Sequence, residues 1–280
     1  MKILTSKADF RAARAGFGDL GFAPTMGFLH EGHLRLMRRA KAENGAAAAS
    51  IFVNPTQFAP GADFDRYPRA LERDLAMLEG AGVDLVFTPD AAEMYPDGFD
   101  ASIHIGGVSQ GLEGAARPGH FDGVATVVTK LLNIVAPTRA YFGQKDAQQA
   151  AVITKLVRDL DIPVQVIIAD TVREADGLAM SSRNSYLDPA HRQAATVLFR
   201  ALTRARAMLD GGERAVDRLR AAMIAEIAAE PLATLDYVSL ADPDTLEELT
   251  VVGPAGALVS LAAQVGPARL IDNMLLGRPG

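Results

Sequence analysis

The sequence predicts an α/β fold: a parallel sheet covered by helices on both faces, followed from about residue 173 by a smaller α+β domain. Three observations carry this prediction. Over residues 1–172, short apolar runs alternate with helical repeats, the pattern that builds parallel sheets. After that the texture changes to two helical stretches divided by Gly211-Gly212, with β-type runs behind them. Finally, 280 residues with 49% hydrophobic content supply a core of this size.

The elements follow in order. Gly21 to Thr25 reads as a short buried strand, and Leu34 to Glu43 as a helix stopped by Asn44-Gly45, a C-cap signal. Ala46 to Val53 is a strand by alternation and by Ser50-Ile51-Phe52-Val53, although its alanines favour helix. Asn54 to Pro68 is a loop, and Arg69 to Gly80 a helix with Leu71, Leu75 and Leu78 on one face. Val83 to Phe87 is a strand stopped by Pro89, and Ser102 to Ile105 reads as another short one. From Val124 the apolar positions 124, 127, 128, 131, 132 and 135 keep helical spacing until Pro137. Ala140 to Phe142 is a strand, Val152 to Leu160 marks a helix, and the β-branched run Val164 to Val172 is the last strand of the first domain. Beyond it lie helices at Ala190 to Asp210 and Glu213 to Glu230, then strands at Leu235 to Leu240 and Ala257 to Ala262.

Composition excludes several function classes. There is no cysteine, so thiolate nucleophiles, disulfides and zinc–thiolate sites are out, and no apolar run reaches the ~18 residues of a membrane span. The N-terminal residues lack the apolar core of a signal peptide, which makes the cytoplasm the expected compartment. A net charge of −6 argues against general nucleic-acid binding. It also makes cations inside motifs more informative than cations on helix faces.

Ligands of parallel sheets sit at the carboxyl ends of the strands. Three motif loops leave strands here, at 24–33, 54–58 and 143–149, and they are expected to converge. In the first, His30 and His33 flank Gly32 at a helix start, aiming imidazoles and backbone N–H groups at one point suited to a phosphate. Two capping or solvated histidines are the plainer reading, but Gly27 and Gly32 would let a ligand approach the backbone. A zinc pair is not favoured, because the His-Glu-x-x-His pattern would need histidine where Leu34 stands. Lys145, in Gly143-Gln144-Lys145-Asp146, opens a helix, where a cation is disfavoured unless an anion binds. Asp146 fits an N-cap. Gln57 and Gln149 either orient a polar small molecule or are merely solvated. Ser181, Ser182 and Arg183 form either a plain turn or a seat for a triphosphate tail.

Taken together, these segments resemble the pantothenate synthetase family, the pantoate–β-alanine ligases. The matching stretches are Pro24-Thr25-Met26-Gly27, His30-Glu31-Gly32-His33, Ser50 to Phe58, Tyr67-Pro68-Arg69, Arg117 to Phe121, Phe142 to Gln149, Met180 to Asn184 and Arg269 to Asn273. The His-x-Gly-His element alone would indicate only the wider nucleotidylyltransferase superfamily, and a nucleotidylyltransferase is the alternative enzyme. A catalytically idle nucleotide-binding regulator would be expected to have lost Lys145, His30 or His33, and all three are present.

The resemblance implies a Rossmann-like ATP- and pantoate-binding domain over 1–172, a lid domain over 173–280, and a homodimer. It implies ATP as substrate, with Mg²⁺ held mainly by the ATP phosphates and no dedicated protein metal site. The ATP site would comprise Met26, Gly27, Phe28, Leu29, His30, Glu31, Gly32 and His33 with Gly143, Gln144, Lys145 and Asp146, then Val172, Met180, Ser181, Ser182 and Arg183. Within it, His33, His30, Lys145, Ser181, Ser182 and Arg183 would act on developing charge. Asn54, Gln57 and Gln149 would hold pantoate or β-alanine. Gln144 stands where many members carry Glu, and Phe28 where a smaller or polar residue is usual; neither is among the residues assigned to chemistry. The implied reaction is ATP-dependent condensation of pantoate with β-alanine through a pantoyl adenylate, giving AMP and pyrophosphate. A free acyl adenylate would hydrolyse, so the loop from Pro60 to Arg69 is expected to close over it.

Overall fold

A computed structural model describes residues 1–58 and 64–277. The chain divides into two compact units, residues 1–144 with 149–170, and residues 145–148 with 171–280.

In the first unit, six described strands form one sheet in the order β1-β4-β3-β2-β5-β6, and every neighbouring pair is parallel. The strands are β1 (Lys2–Leu4), β2 (Gly21–Thr25), β3 (Ala47–Ile51), β4 (Leu85–Phe87), β5 (Arg139–Gly143) and β6 (Gln165–Ala169). Helices α1 (Lys7–Arg14), α2 (Glu31–Asn44), α3 (Leu71–Gly80), α4 (Ala91–Met94), α5 (Leu112–Ala116), α6 (His120–Val135) and α7 (Ala147–Asp159) link them. Ala47, Ala48 and Ala49 are fully buried at the centre of the sheet, where ladder pairing and helices packed on the sheet override their helical propensity. A core of Ala23, Met37, Ala40, Leu78, Val86 and Tyr141, among others, fills this unit.

In the second unit, α8 (Pro189–Ala194), α9 (Val197–Asp210) and α10 (Val216–Ala228) precede β7 (Ala233–Ala241), β8 (Ala257–Val265) and β9 (Ala268–Leu276). These strands form an antiparallel sheet in the order β7-β8-β9, and a separate core of Leu198, Leu202, Leu219, Met223, Val259 and Leu261 packs with it. Among the described residues, no helix is long and apolar enough to cross a membrane.

Several elements differ from expectation. Ser102 to Ile105 forms no strand: the Ile103 N–H donates to the Thr126 hydroxyl at 2.9 Å instead of to a neighbouring strand. The helix read from 190 to 210 breaks at Ala195-Thr196, where the Thr196 hydroxyl donates to the Gln193 carbonyl at 2.7 Å and competes with the helical ladder. Strand β1 and helix α1 went unread, the strand because its three residues show no alternation and lie at the sheet edge. Helix α2 begins three residues earlier than the apolar repeat, at Glu31, and that shift matters for the site. Part of the loop from Pro60 to Arg69, residues 60–63, lies outside the described residues.

Candidate active site

Thr25, Ile51 and Gly143 end neighbouring parallel strands, so the three motif loops leave the same edge of the sheet. The first two meet: the Gln57 amide nitrogen lies 3.3 Å from the Met26 sulfur.

The turn after β2 is bent sharply. Gly27 has φ +83, and a Cβ there would meet Ile51 Cγ2 at 3.0 Å and Asp74 Oδ2 at 3.1 Å, so conformation and space both require glycine. Phe28 follows at φ +49, a left-handed conformation that costs a non-glycine residue energy. Asp74 on α3 compensates. Its carboxylate, 1% exposed, accepts the Phe28 N–H at 2.6 Å and the Leu29 N–H at 2.8 Å. Next to it, Arg73 donates to the Leu29 carbonyl at 2.9 Å and lies over the Phe28 ring, 5.1 Å from its centroid.

The N–H groups of Phe28 and Leu29, expected to face a ligand, are therefore held by the protein itself. Gly27 N–H likewise goes to the Thr25 hydroxyl at 3.2 Å. By position, the N–H groups of Glu31 and Gly32 at the head of α2 have no intrahelical acceptor.

His30 is the N-cap of α2, in extended conformation, and His33 is its third helical residue. The His30 N–H donates to His33 Nδ1 at 3.3 Å, and the two rings lie 4.0 Å apart. A ring nitrogen that accepts carries no proton, so the proton of His33 sits on Nε2. The capping geometry thus makes Nε2 a fixed donor. Capping and ligand contact, rival readings of this pair, are compatible because they use different nitrogens. Glu31, at the same helix start, is exposed and paired with Arg38.

The second loop is a buried polar network. Asn54, 1% exposed, donates to the Gln57 side-chain oxygen at 3.1 Å and to the Gly123 carbonyl at 3.2 Å. Its oxygen accepts from the Tyr95 hydroxyl at 2.7 Å and from Thr56 at 3.1 Å. Burial pushes the Tyr95 phenol above its usual range, which keeps it a donor. His120 Nδ1 lies 2.9 Å from the Gln57 carbonyl, and its Nε2 lies 3.3 Å from Arg117 Nη1. A carbonyl only accepts and a guanidinium only donates, so His120 is neutral with its proton on Nδ1. These bonds hold both ends of Gln57. Gln149 is half-buried on α7.

In the second unit, Lys145 and Asp146 lie in a single 3₁₀ turn that leads into α7, with Lys145 Nζ 3.5 Å from Asp146 Oδ1. Val172 and Met180 close a hairpin, the Met180 N–H donating to the Val172 carbonyl at 3.0 Å. Ser181 then caps the 3₁₀ turn Ser182–Tyr186, accepting the Arg183 N–H at 3.3 Å, with Ser182 buried and Arg183 half-buried.

A model of the pantoate-beta-alanine ligase family matches residues 2–275. The chain belongs to this family. A pantothenate synthetase of Herpetosiphon aurantiacus is 58% identical over 276 residues, 99% of this chain and 100% of the relative. That of Chloroflexus aurantiacus is 58% identical over 280 residues, the whole of both chains. The crystal structure of pantothenate synthetase from Thermus thermophilus superposes with TM-score 0.95 at 48% identity, covering 100% of each chain. A pantoate-beta-alanine ligase of Francisella tularensis, solved with β,γ-ATP and β-alanine, matches with TM-score 0.81 at 35% identity over 98% of this chain and 97% of that one. The family resemblance, the Rossmann-like sheet with its smaller second domain, and the reading of the chain as a pantoate–β-alanine ligase are borne out.

Within that ligase frame, sequence reading missed Asp74, Arg73, Tyr95 and the fixing role of His120. Asp74 left a trace: it falls between Leu71 and Leu78 at helical spacing, a carboxylate on the apolar stripe. The stripe is in fact Asp74 and Leu78, while Leu71 is 48% exposed.

Proposed function

We propose that this ligase activates pantoate by adenylation and that the paired histidines of the β2–α2 turn serve that step. A carboxylate is a poor electrophile, so an amine will not displace its oxygen directly. One carboxylate oxygen of pantoate attacks the α-phosphorus of ATP; the bond to the bridging oxygen breaks, and pyrophosphate leaves. The β-alanine nitrogen then attacks the activated carbonyl, the carbonyl–oxygen bond to AMP breaks, and the amine loses a proton. The products are pantothenate, AMP and pyrophosphate.

In the first step negative charge grows on the α-phosphate and the leaving pyrophosphate, and prearranged donors there lower the barrier. His33 Nε2–H is assigned that role, with His30 beside it. One observation carries the assignment: the 3.3 Å bond from the His30 N–H to Nδ1 fixes the proton on Nε2. Lys145, Ser181, Ser182 and Arg183 are assigned to the same phosphates. Met26 to Gly32, Gly143, Gln144, Asp146, Val172 and Met180 are assigned to the rest of the nucleotide. Asn54, Gln57 and Gln149 are assigned to pantoate, and the Francisella relative solved with β-alanine supports placing the amine substrate in the same family of sites. The division into a 1–172 ATP- and pantoate-binding domain and a 173–280 lid domain belongs to this proposal. So do homodimeric assembly, cytoplasmic residence and a product destined for coenzyme A.

Among the described residues, no group of three or more His, Cys, Asp or Glu is placed to hold a metal ion. Mg²⁺ is proposed as part of the MgATP substrate, where the phosphates and water supply most ligands.

The test is incubation with ATP, Mg²⁺, pantoate and β-alanine. AMP and pantothenate should appear in equal amounts, and ADP in place of AMP would refute adenylation. His33→Ala and Lys145→Ala should each slow pyrophosphate release by roughly 10²–10³-fold, the usual cost of one such donor. A His33→Ala enzyme with near-normal release would remove the histidine from this role.

A further inference from the structure

The Arg269-Leu270-Ile271-Asp272-Asn273 motif has no part in the chemistry above, yet it lies in the second unit with Lys145. Asn273 is 4% exposed, and its side-chain amide donates to the Lys145 backbone carbonyl at 2.8 Å. Asp272, 2% exposed, accepts the Asn273 N–H at 2.8 Å and pairs bidentately with Arg173 at 2.6 and 2.9 Å. Arg173 also donates to the Asn273 carbonyl at 3.2 Å and to the Gly177 carbonyl at 3.0 Å, and lies over the Phe199 ring. It belongs to the hairpin whose ends are Val172 and Met180.

Two separate segments assigned above to the nucleotide are thereby tied to one buried ion pair. Lys145 sits in a single 3₁₀ turn, too short to hold its own direction. The hairpin 172–180 has one isolated bridge, Arg173 to Ala179. Strand β9, paired along its whole length with β8, is the rigid element of the set.

We propose that Asn273 is a positioning residue for adenylation, fixing the Lys145 backbone so that the ammonium meets the phosphates. The Arg173–Asp272 pair fixes Asn273 in turn and registers the 172–180 hairpin to it. The proposal rests on the assignment of Lys145 to the phosphates. A shift of about 1 Å in a charged group costs up to about 10²-fold in rate, so a backbone hydrogen bond remote from the substrate can set kcat.

A double-mutant cycle on the full-length enzyme, read by pyrophosphate release, tests it. Asn273→Ala should lower kcat about 10- to 100-fold while the pantoate KM stays within about twofold. In a Lys145→Ala background the same substitution should cost less than about threefold, because no ammonium is left to place. Equal cost in both backgrounds, or an unchanged kcat, would overturn the positioning role. If Asn273→Ala does not fold, Asn273→Ser, whose hydroxyl stops short of the carbonyl, enters the same cycle with the same two readings. Normal rates in Lys145→Ala alone would instead remove the underlying assignment, so the two failures are distinct.

Discussion

Replacing Asp74 with alanine should damage both stability and adenylation, although Asp74 is assigned no contact with substrate. Its carboxylate holds the Phe28 and Leu29 N–H groups at 2.6 and 2.8 Å. Hydrogen bonds to a charged group contribute about 1.5–3 kcal/mol each. Against their loss stands relief from burying the carboxylate, which is 1% exposed, and partial relaxation of Phe28 from φ +49. The net expectation is a loss of about 2–4 kcal/mol, or about 5–10 °C in the melting temperature of a domain this size. The kinetic effect runs through geometry. His30 directly follows the pinned residues, so a released turn moves the His30 N–H that fixes His33. About a 10²-fold fall in pyrophosphate release is expected. Asp74→Asn, which keeps the shape but turns an NH₂ toward one of the two N–H groups, should fall between parent and alanine variant. Both carboxylate oxygens accept backbone N–H groups, so raising Mg²⁺ should not restore the rate. A parent-like melting temperature and rate in Asp74→Ala, or full rescue by Mg²⁺, would refute the reasoning.

Other substitutions probe the remaining parts of the site and its frame. Gly123→Ala would bring a Cβ to 2.5 Å from the Thr56 carbonyl oxygen and 2.7 Å from Gln57 Cα, so it should raise the pantoate KM about tenfold or more and leave that for ATP unchanged. Burial first, and then its hydrogen bond to Glu43, push the Tyr141 phenol up to about 12. Because the unfolded phenol ionises near 10, the native state holds the extra proton between those values and stability falls as pH rises through that window. In Tyr141→Phe this part of the slope, and the phenolate absorbance step near 12, should vanish. Burial also raises the Asp272 carboxyl, and Arg173 opposes that shift. Arg173→Ala should cost about 3–5 kcal/mol at neutral pH by stranding a buried charge. That deficit should shrink on acidification as Asp272 takes up a proton, and urea titrations at several pH values would show it.

Much of the frame was legible in the sequence because it depends on period and punctuation. Strand–helix alternation gave the parallel sheet, and Asn44-Gly45 marked the end of α2, where Gly45 adopts φ 74. The candidate loops could be proposed because they follow strands and carry residues unusual at a helix start, Lys145 above all. What stayed hidden were partners distant in sequence. Asp74 lies 46 residues from Phe28, and Asn273 lies 128 from Lys145. No local pattern encodes such a meeting; only the order β1-β4-β3-β2-β5-β6 and the packing of α3 bring Asp74 to the turn. The start of α2 was misplaced for a related reason: its first turn is capped by histidines rather than by Ser, Thr or Asp, so the usual start signal was missing.

The hydrogen-bond account of the β2–α2 turn also changes what kind of phosphate site it can be. A glycine-rich loop that cradles phosphate presents successive backbone N–H groups to the anion. Here those of Gly27, Phe28, Leu29 and His30 are all taken by Thr25, Asp74 and His33. Of the turn's backbone donors, the N–H groups of Glu31 and Gly32 at the helix start are left, beside the His33 ring. The turn therefore offers a small number of donors in fixed directions rather than a broad anion nest. Fixed donors suit charge that develops at one atom during reaction better than charge already spread over a resting triphosphate. In a chain of net charge −6, the proposed assignment gives attraction of the nucleotide to the cations Lys145 and Arg183 and leaves the histidines to act in the transition state. That division predicts different signatures for the two groups. Loss of Lys145 should raise the ATP KM as well as lower kcat, and the KM defect should shrink as salt screens the charge it removes. Loss of His33 should fall almost wholly on kcat and be insensitive to ionic strength. A His33→Ala enzyme whose defect lies in the ATP KM would place the histidine in ground-state binding and undo the distinction.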